Sequence, residues 1–127
     1  GTGNKVEDFG VGFYTKYGDG GVDLSPIADL MKSEVYEVGR FLKISDEILN
    51  AAPTDGLFGD SRSDEDQIGA SYDELEWAME RDQLGMNAED YSGREQEVFK
   101  IYKSRNNANR HKMIPIPVCE IPFNLRN

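Results

Sequence analysis

Residues 71–79 read SYDELEWAM, and this stretch contains the clearest indication of the fold. The hydroxyl of Ser71 can accept a hydrogen bond from an early helical N–H, and Glu74 can bond back to the start of the same helix. Together the two form a capping box. Apolar side chains then recur at helical spacing, at Leu75, Ala78 and Met79. The stretch therefore predicts a helix that begins at Ser71 and turns one apolar side toward a core.

The same reasoning predicts helices on both sides of this stretch. Upstream, residues 30–43 form a helix whose apolar stripe consists of Met31, Val35, Val38 and Leu42. Ser45 can cap a short helix after it, and Ser92 with Glu95 repeats the capping-box pattern before a longer helix with a basic face. We expect the stripes to bury against one another or against a second copy of the chain.

Glycine and proline set the remaining boundaries. Residues 1–29 are expected to form a glycine-rich loop, residues 30–110 a helical region, and residues 111–127 an extended proline-rich tail. The fold expected for this chain is therefore mainly α, with little or no strand.

Composition narrows the class of protein. The 127 residues suit one domain or part of one, and the net charge is −10, with most acidic residues in the middle and an excess of basic residues at the end. An acidic chain is a poor general binder of nucleic acid, and no apolar run is long enough to span a membrane. The single cysteine, Cys119, excludes an internal disulfide and favours a reducing, cytoplasmic setting.

Residues 1–21, GTGNKVEDFGVGFYTKYGDGG, contain seven of the 13 glycines. The DGGVDL sequence that begins at Asp19 partly resembles S-G-G-x-D-S, the pyrophosphate loop of ATP pyrophosphatase-type enzymes. That loop requires a preceding apolar strand and a following helix, whereas here no such strand precedes it and Pro26 follows. We therefore predict a turn at this place and no phosphate loop.

Four motifs occur in order along the chain: GTGNKVE at 1–7, YTKYGDGGVDLSPIADLMKSEV at 14–35, APTDGL at 52–57 and HK at 111–112. Together they closely resemble the C-terminal half of NAD synthetase. The resemblance extends from residue 1 to about residue 77 and resumes at residues 107–117. It implies a parent protein of the α/β, adenine nucleotide alpha-hydrolase-like class with a parallel sheet. We expect this chain to be a C-terminal fragment that is inactive alone, because the pyrophosphate loop would lie outside it.

The family amidates deamido-NAD to NAD, through an acyl-adenylate, with ATP and Mg²⁺. The resemblance implies that Thr2, Lys32 and Thr54 bind ATP and that Glu7 ligates magnesium. Asp8 remains an alternative ligand, since this chain has one residue more between the acidic pair and YTKYG than some members of the family. By its position early in a helix, Lys32 would otherwise be expected to point to solvent.

The resemblance also implies that Lys16, Asp23, His111 and Lys112 contact deamido-NAD. In this family the dinucleotide site straddles a two-fold interface, so the His–Lys pair implies a homodimer. A lone histidine would otherwise be an ordinary surface or core residue. The acidic Asp55, beside the expected ATP-binding Thr54, departs from many relatives without an evident reason.

Two other classes remain open. One is a different ligase on the same ATP-pyrophosphatase scaffold, such as a GMP synthetase or a tRNA-thiolating enzyme. The other is a non-enzymatic helical module that binds a basic partner through its acidic middle. The sequence also leaves open whether the nitrogen comes from free ammonia or from an attached glutaminase.

Overall fold

A computed structural model of the chain describes residues 1–53 and 63–126. Its α-helices are α1 (Lys32–Phe41), α2 (Asp46–Leu49), α3 (Asp64–Ile68), α4 (Tyr72–Gln83) and α5 (Gly93–Met113). A π-helical segment spans Lys5–Val11, and single 3₁₀ turns lie at Ala88–Asp90 and Phe123–Leu125. No described residue lies in a β-strand, which confirms the mainly helical fold. Within the same residues, no helix is both long and apolar enough to cross a membrane.

The core lies where α4, α5 and the π-helical segment meet. Its fully buried side chains come from all three elements, with Leu75 from α4, Phe99 and Val98 from α5, and Val6 and Val11 from the π-helical segment. Each large apolar side chain removed from water contributes about 1.5–3 kcal/mol to stability. The packing therefore fixes the position of the glycine-rich N-terminal residues on the two longest helices.

The capping box at Ser71 is confirmed. The Glu74 amide donates to Ser71 Oγ at 3.3 Å, and the Ser71 amide donates to Glu74 Oε2 at 2.9 Å. Ser92 also occupies the N-cap position of its helix, but its side chain makes no capping hydrogen bond. The residue after it, Gly93, has a positive φ of 59°.

The apolar stripe of α1 is only partly covered within the described residues: Met31 packs against the core, whereas the last two positions are exposed. Val38 is 43% exposed and Leu42 63% exposed, and no residue of the helix is fully buried. A polar contact joins α1 to α4 instead: the amide and hydroxyl of Ser33 donate to the carboxylate of Glu76 at 2.9 and 2.6 Å. Helical periodicity identified the helix correctly but did not reveal what its apolar side contacts.

The π-helical segment is fixed at both ends. Asn4 is almost fully buried, and its side-chain oxygen accepts from the Glu7 amide at 3.1 Å. At the other end, Gly12 has a φ of 64°, and its amide donates to the Glu7 carbonyl across five residues. A π turn takes up one residue more than an α turn, so this segment is wound more widely than an α-helix.

Side chains of α5 bind the carbonyls at the end of this segment in succession. Asn106 Nδ2 donates to the carbonyl of Gly10 at 2.7 Å, and Asn109 Nδ2 donates to that of Val11 at 2.8 Å. One turn further on, Lys112 Nζ donates to the Gly12 carbonyl at 2.9 Å. We call the set Asn106, Asn109 and Lys112 the α5 ladder. It gives the last carbonyls of a short helix the partners that the helix itself cannot supply.

Candidate functional site

An ion pair between Glu7 and Lys32 lies at the centre of the candidate site. Lys32 Nζ is 2.9 Å from Glu7 Oε2, and the two side chains are only 18% and 19% exposed, respectively. Asn4 Nδ2 donates to the same carboxylate oxygen at 2.6 Å. The lysine therefore points inward, although its place in the first turn of α1 would suit a side chain in solvent.

Tyr72, the first residue of α4, lies beside this pair. Its ring centroid is 4.6 Å from Lys32 Nζ, and its hydroxyl lies 3.3 Å from Asp64 Oδ2. Burial, followed by the negative charges of Glu7 and Asp64, raises the pKa of Tyr72 well above its usual value. The phenol therefore stays neutral and keeps its proton, with which it donates a hydrogen bond to the Asp64 carboxylate.

Thr2 and Glu7 line a small cleft of about 80 Å³, together with Gly3, Asp8 and Asp19. We call it the Thr2 cleft. Gly3 leaves room for the Asp8 carboxylate, because a Cβ at this position would lie 1.8 Å from Asp8 Oδ2 unless that side chain moved. That oxygen is buried and has no hydrogen-bond partner among the described residues. The cleft thus combines an exposed threonine with carboxylates from one turn of helix.

The ionisation of Asp8 is disfavoured at this place. Burial is the main cause, and the charges of Glu7 and Asp19 add to it, so that the pKa of Asp8 rises to about 6. Within residues 1–53 and 63–126, no cluster of three or more acidic, histidine or cysteine side chains is arranged to hold a metal ion. The described residues therefore supply only part of the ligand set that a magnesium ion would need.

A second cavity, of about 140 Å³, adjoins the Thr2 cleft and shares Asp8 and Asp19 with it. Lys112 and Tyr14 line its other side, so we call it the Lys112 cavity. Besides its bond in the α5 ladder, Lys112 Nζ donates to the Tyr14 carbonyl at 2.8 Å. Two of the three ammonium N–H donors are thus engaged by the main chain.

The structure brings three of the four residues predicted to contact deamido-NAD close together. Lys16 Nζ donates to the His111 carbonyl at 2.5 Å, and Lys112 follows in the last turn of α5. The imidazole of His111 is exposed, with Nδ1 3.2 Å from the Ala108 carbonyl. Asp23 is exposed. Thr54, predicted to bind ATP, and its neighbour Asp55 lie outside the described residues.

The stretch around Asp19 is a turn, as predicted. The Thr15 amide donates to Asp19 Oδ1 at 2.7 Å, and the Gly20 amide donates to the Thr15 carbonyl at 2.9 Å. No helix begins at or directly after Pro26, where the chain forms another turn. The stretch therefore lacks the helix N-terminus that a phosphate loop needs.

Comparison with known proteins shows the family of the chain. Residues 1–115 match the family described as NAD synthase. The chain belongs to this family. It is 38% identical over 127 residues to the NH(3)-dependent NAD(+) synthetase of Syntrophomonas wolfei, covering 100% of this chain and 46% of the relative. It is 45% identical over 80 residues to the enzyme of the same name from Methanococcoides burtonii, covering 63% of this chain and 30% of the relative.

A solved structure of NMN synthetase from Francisella tularensis has a similar fold. It superimposes with a TM-score of 0.70 at 29% identity, covering 94% of this chain and 44% of that one. This member of the NAD synthase family thus spans less than half the length of the Syntrophomonas relative and of the solved structure. The part of the fold that it shares with them is the helical part described above.

Sequence reasoning missed several residues that build the site of this family member. Tyr72 was seen only as the residue after a helix cap, and Asn4 only as part of a glycine-rich motif. Asn106 and Asn109 are three residues apart, which places them on one side of a helix, but the carbonyls that they bind lie nearly 100 residues away. Only the spacing could have singled out these two asparagines.

A third and more open hollow, of about 280 Å³, lies away from the site. Trp77, Val98 and Arg94 line it, between the first turns of α4 and α5. It contains none of the residues that the sequence predicted to bind substrate or metal.

Proposed function

We propose that the chain is the C-terminal part of an NAD synthetase that amidates deamido-NAD with ATP and ammonia. The observation that carries the proposal is the ion pair of Lys32 with Glu7 beside the Thr2 cleft. A lysine that points inward and pairs with a carboxylate lining the Thr2 cleft suits the binding of a nucleoside triphosphate. The printed names of the Syntrophomonas and Methanococcoides relatives support ammonia as the nitrogen source.

In the proposed reaction, a carboxylate oxygen of the nicotinate group attacks the α-phosphorus of ATP, and the bond to pyrophosphate breaks. Ammonia then adds to the carbonyl carbon of the acyl-adenylate, AMP leaves with the bonding electrons, and the excess protons pass to solvent. Thr2, Lys32 and Thr54 are assigned to ATP. Lys32 would stabilise the negative charge that develops on the phosphate oxygens, an effect that is strong in a site with little water.

Glu7 is assigned as a magnesium ligand, and Asp8 remains the alternative. Carboxylate oxygens are the donors that this ion prefers, and the buried, unpartnered Oδ2 of Asp8 is compatible with a cation nearby. When bound, the ion would supply positive charge to the phosphate oxygens. Further ligands would have to come from outside the described residues. Without the ion, Glu7 serves to orient Lys32.

The binding of deamido-NAD is assigned to Lys16, Asp23, His111 and Lys112. Lys112 lines the second cavity and keeps one N–H donor for an anionic ligand, while its other two bonds hold the loop in place. We further propose a homodimer, in which His111 and Lys112 face a dinucleotide bound at the interface. A cytoplasmic location is part of the same proposal and agrees with the lone, exposed cysteine.

The direct test is an assay of the complete protein that contains this chain. With deamido-NAD, ATP, ammonia and Mg²⁺, we expect one NAD, one AMP and one pyrophosphate per turnover. Release of ADP and phosphate, or no amide at all, would contradict the proposal. The 127-residue chain alone should give no turnover, because the pyrophosphate loop implied by the family is not part of it.

A second candidate substrate follows from the solved structure, which is that of an NMN synthetase. The same chemistry would then amidate a mononucleotide in place of a dinucleotide. The assay should therefore compare kcat/KM for nicotinate mononucleotide with that for deamido-NAD. We expect the dinucleotide to be preferred, because Lys16, His111 and Lys112 extend the site beyond the Thr2 cleft.

A further inference from the structure

We propose that Tyr72 is a positioning residue that holds both Lys32 and Glu7 in the orientation needed for ATP. The proposal rests on the proposed function, since it names how that site is assembled. No motif that suggested the function includes Tyr72.

The position of Tyr72 is fixed by the start of α4. The Ser71 capping box sets the first turn of the helix, and the Tyr72 amide donates to Glu65 Oε1 at 2.7 Å. The side chain is buried and belongs to the hydrophobic core. A ring held in this way offers a rigid surface, because its backbone and its packing are both determined by other parts of the fold.

The aromatic ring acts on Lys32. The ammonium lies 4.6 Å from the ring centroid, within the range of a cation–π interaction, which strengthens where water is excluded. Lys32 is also the first residue of α1, where the positive end of the helix dipole disfavours a cation. The ring and Glu7 together offset this effect and keep the ammonium turned toward the cleft.

The hydroxyl acts on the carboxylates. It donates to Asp64 Oδ2 at 3.3 Å, and Glu7 is close enough for its negative charge to help raise the pKa of Tyr72. Asn4 and Lys32 hold Glu7 from other directions. Loss of the hydroxyl would leave the ring and its contact with Lys32 but would remove one constraint on the orientation of Glu7.

Two substitutions separate these roles in the complete protein. Tyr72→Phe keeps the ring, so we expect a KM for ATP close to wild type and a kcat lowered several-fold. Tyr72→Leu removes the ring as well, and we expect the KM for ATP to rise by about tenfold, while the KM for deamido-NAD stays within about twofold. Tyr102→Phe is the matched control. It removes the hydroxyl of another buried tyrosine, on α5, whose nearby charge is that of Asp82, and it should leave both KM values unchanged.

An NMR measurement tests the geometry without turnover. The ring current of Tyr72 should shift the Cε protons of Lys32 upfield, and Lys32→Arg assigns the signal. The shift should persist in Tyr72→Phe and vanish in Tyr72→Leu. If Tyr72→Leu does not fold, the wild-type shift and its persistence in Tyr72→Phe still test the contact.

The two proposals fail in different ways. A wild-type protein that makes no NAD would overturn the proposed function. An active protein in which Tyr72→Leu raises both KM values equally, or raises neither, would overturn the role of Tyr72. So would a Lys32 signal at an unshifted position.

Discussion

Gly12 ends the π-helical segment and lies against α5. Its φ of 64° is disfavoured for any residue with a side chain, and an added Cβ would lie 2.4 Å from Asn109 Cβ. A left-handed residue costs about 1–2 kcal/mol, and overpacking a core contact costs about 1–3 kcal/mol. We therefore predict that Gly12→Ala lowers the free energy of unfolding by roughly 2–4 kcal/mol, measured by urea denaturation.

Gly85→Ala separates the two causes. Gly85 has a φ of 78°, but nothing lies within 4 Å of an added Cβ. Only the backbone strain should remain, at about 1 kcal/mol. Equal losses in the two variants would show that the close approach of Gly12 to α5 contributes nothing.

The sequence predicted side-chain contacts between residues that are near one another along the chain. It did not predict contacts between residues that are far apart. The cap at Ser71 depends on atoms three residues away, so the sequence contains both partners. The inward orientation of the Lys32 side chain depends on Glu7 and on the ring of Tyr72, which lie 25 and 40 residues away along the chain. Local preference alone would have left that lysine in solvent.

At the scale of elements, the α5 ladder joins α5 to the glycine-rich N-terminal residues. Asn109 donates to the carbonyl of Val11, a residue that is fully buried. A buried acceptor left without its partner costs about 1–3 kcal/mol. We predict that Asn109→Ala lowers the free energy of unfolding by an amount in this range, measured by urea denaturation.

Asn107→Ala is the matched control for this variant, because Asn107 is an exposed asparagine on the same helix. Alanine has the higher helix propensity, so this substitution should be neutral or slightly stabilising. Destabilisation of the same size in both variants would mean that the ladder has no specific role.

Arg94 links the first turns of α4 and α5. Its guanidinium donates to both carboxylate oxygens of Glu74 at 2.8 Å, and this contact holds the pKa of Glu74 down at about 2. Because the folded pKa lies below the unfolded value of 4.5, the contribution is complete above about pH 4.5. It is lost as the pH falls toward about 2. Because Arg94 is exposed and Glu74 is only partly buried, we expect the ion pair to contribute as much as a surface ion pair does.

We predict that Glu74→Gln costs about 0.5–1 kcal/mol at pH 7, because it keeps the capping box and removes the charge. The difference from wild type should shrink between pH 4.5 and pH 2.5, measured by thermal unfolding at several pH values. Asp73→Asn, in the same helical turn, controls for the helix dipole. A loss for Glu74→Gln that is the same at all pH values would argue against the ion pair.

The helices themselves were largely predictable from apolar spacing and caps, but their packing was not. The stripe of α1 has the same period as that of α4, yet Leu75 of α4 is fully buried and Leu42 beside α1 is exposed. Periodicity reports that one side of a helix is apolar. It does not report which other element, if any, covers that side.

At the scale of the whole molecule, two adjoining spaces meet at Asp8 and Asp19. The Thr2 cleft has Glu7 and Lys32 at its side, and the Lys112 cavity lies next to it. The family resemblance implies that Lys16, Asp23, His111 and Lys112 contact one dinucleotide, and in the structure Lys16 Nζ donates to the carbonyl of His111, the residue before Lys112. The sequence motifs could not predict that the ammonium of Lys112 donates to main-chain carbonyls, because those contacts span about 100 residues.

In the proposed site, the Thr2 cleft binds ATP and the Lys112 cavity binds the dinucleotide. The measurement that tests it most directly is the pair of KM values for Lys32→Met and Lys16→Met in the complete protein, with Lys100→Met as an exposed control. We predict that Lys32→Met raises the KM for ATP by about tenfold or more and Lys16→Met that for deamido-NAD, each with little effect on the other substrate. The assignment would be contradicted if Lys32→Met mainly raised the KM for deamido-NAD and Lys16→Met that for ATP. It would also be contradicted if either variant raised both KM values equally.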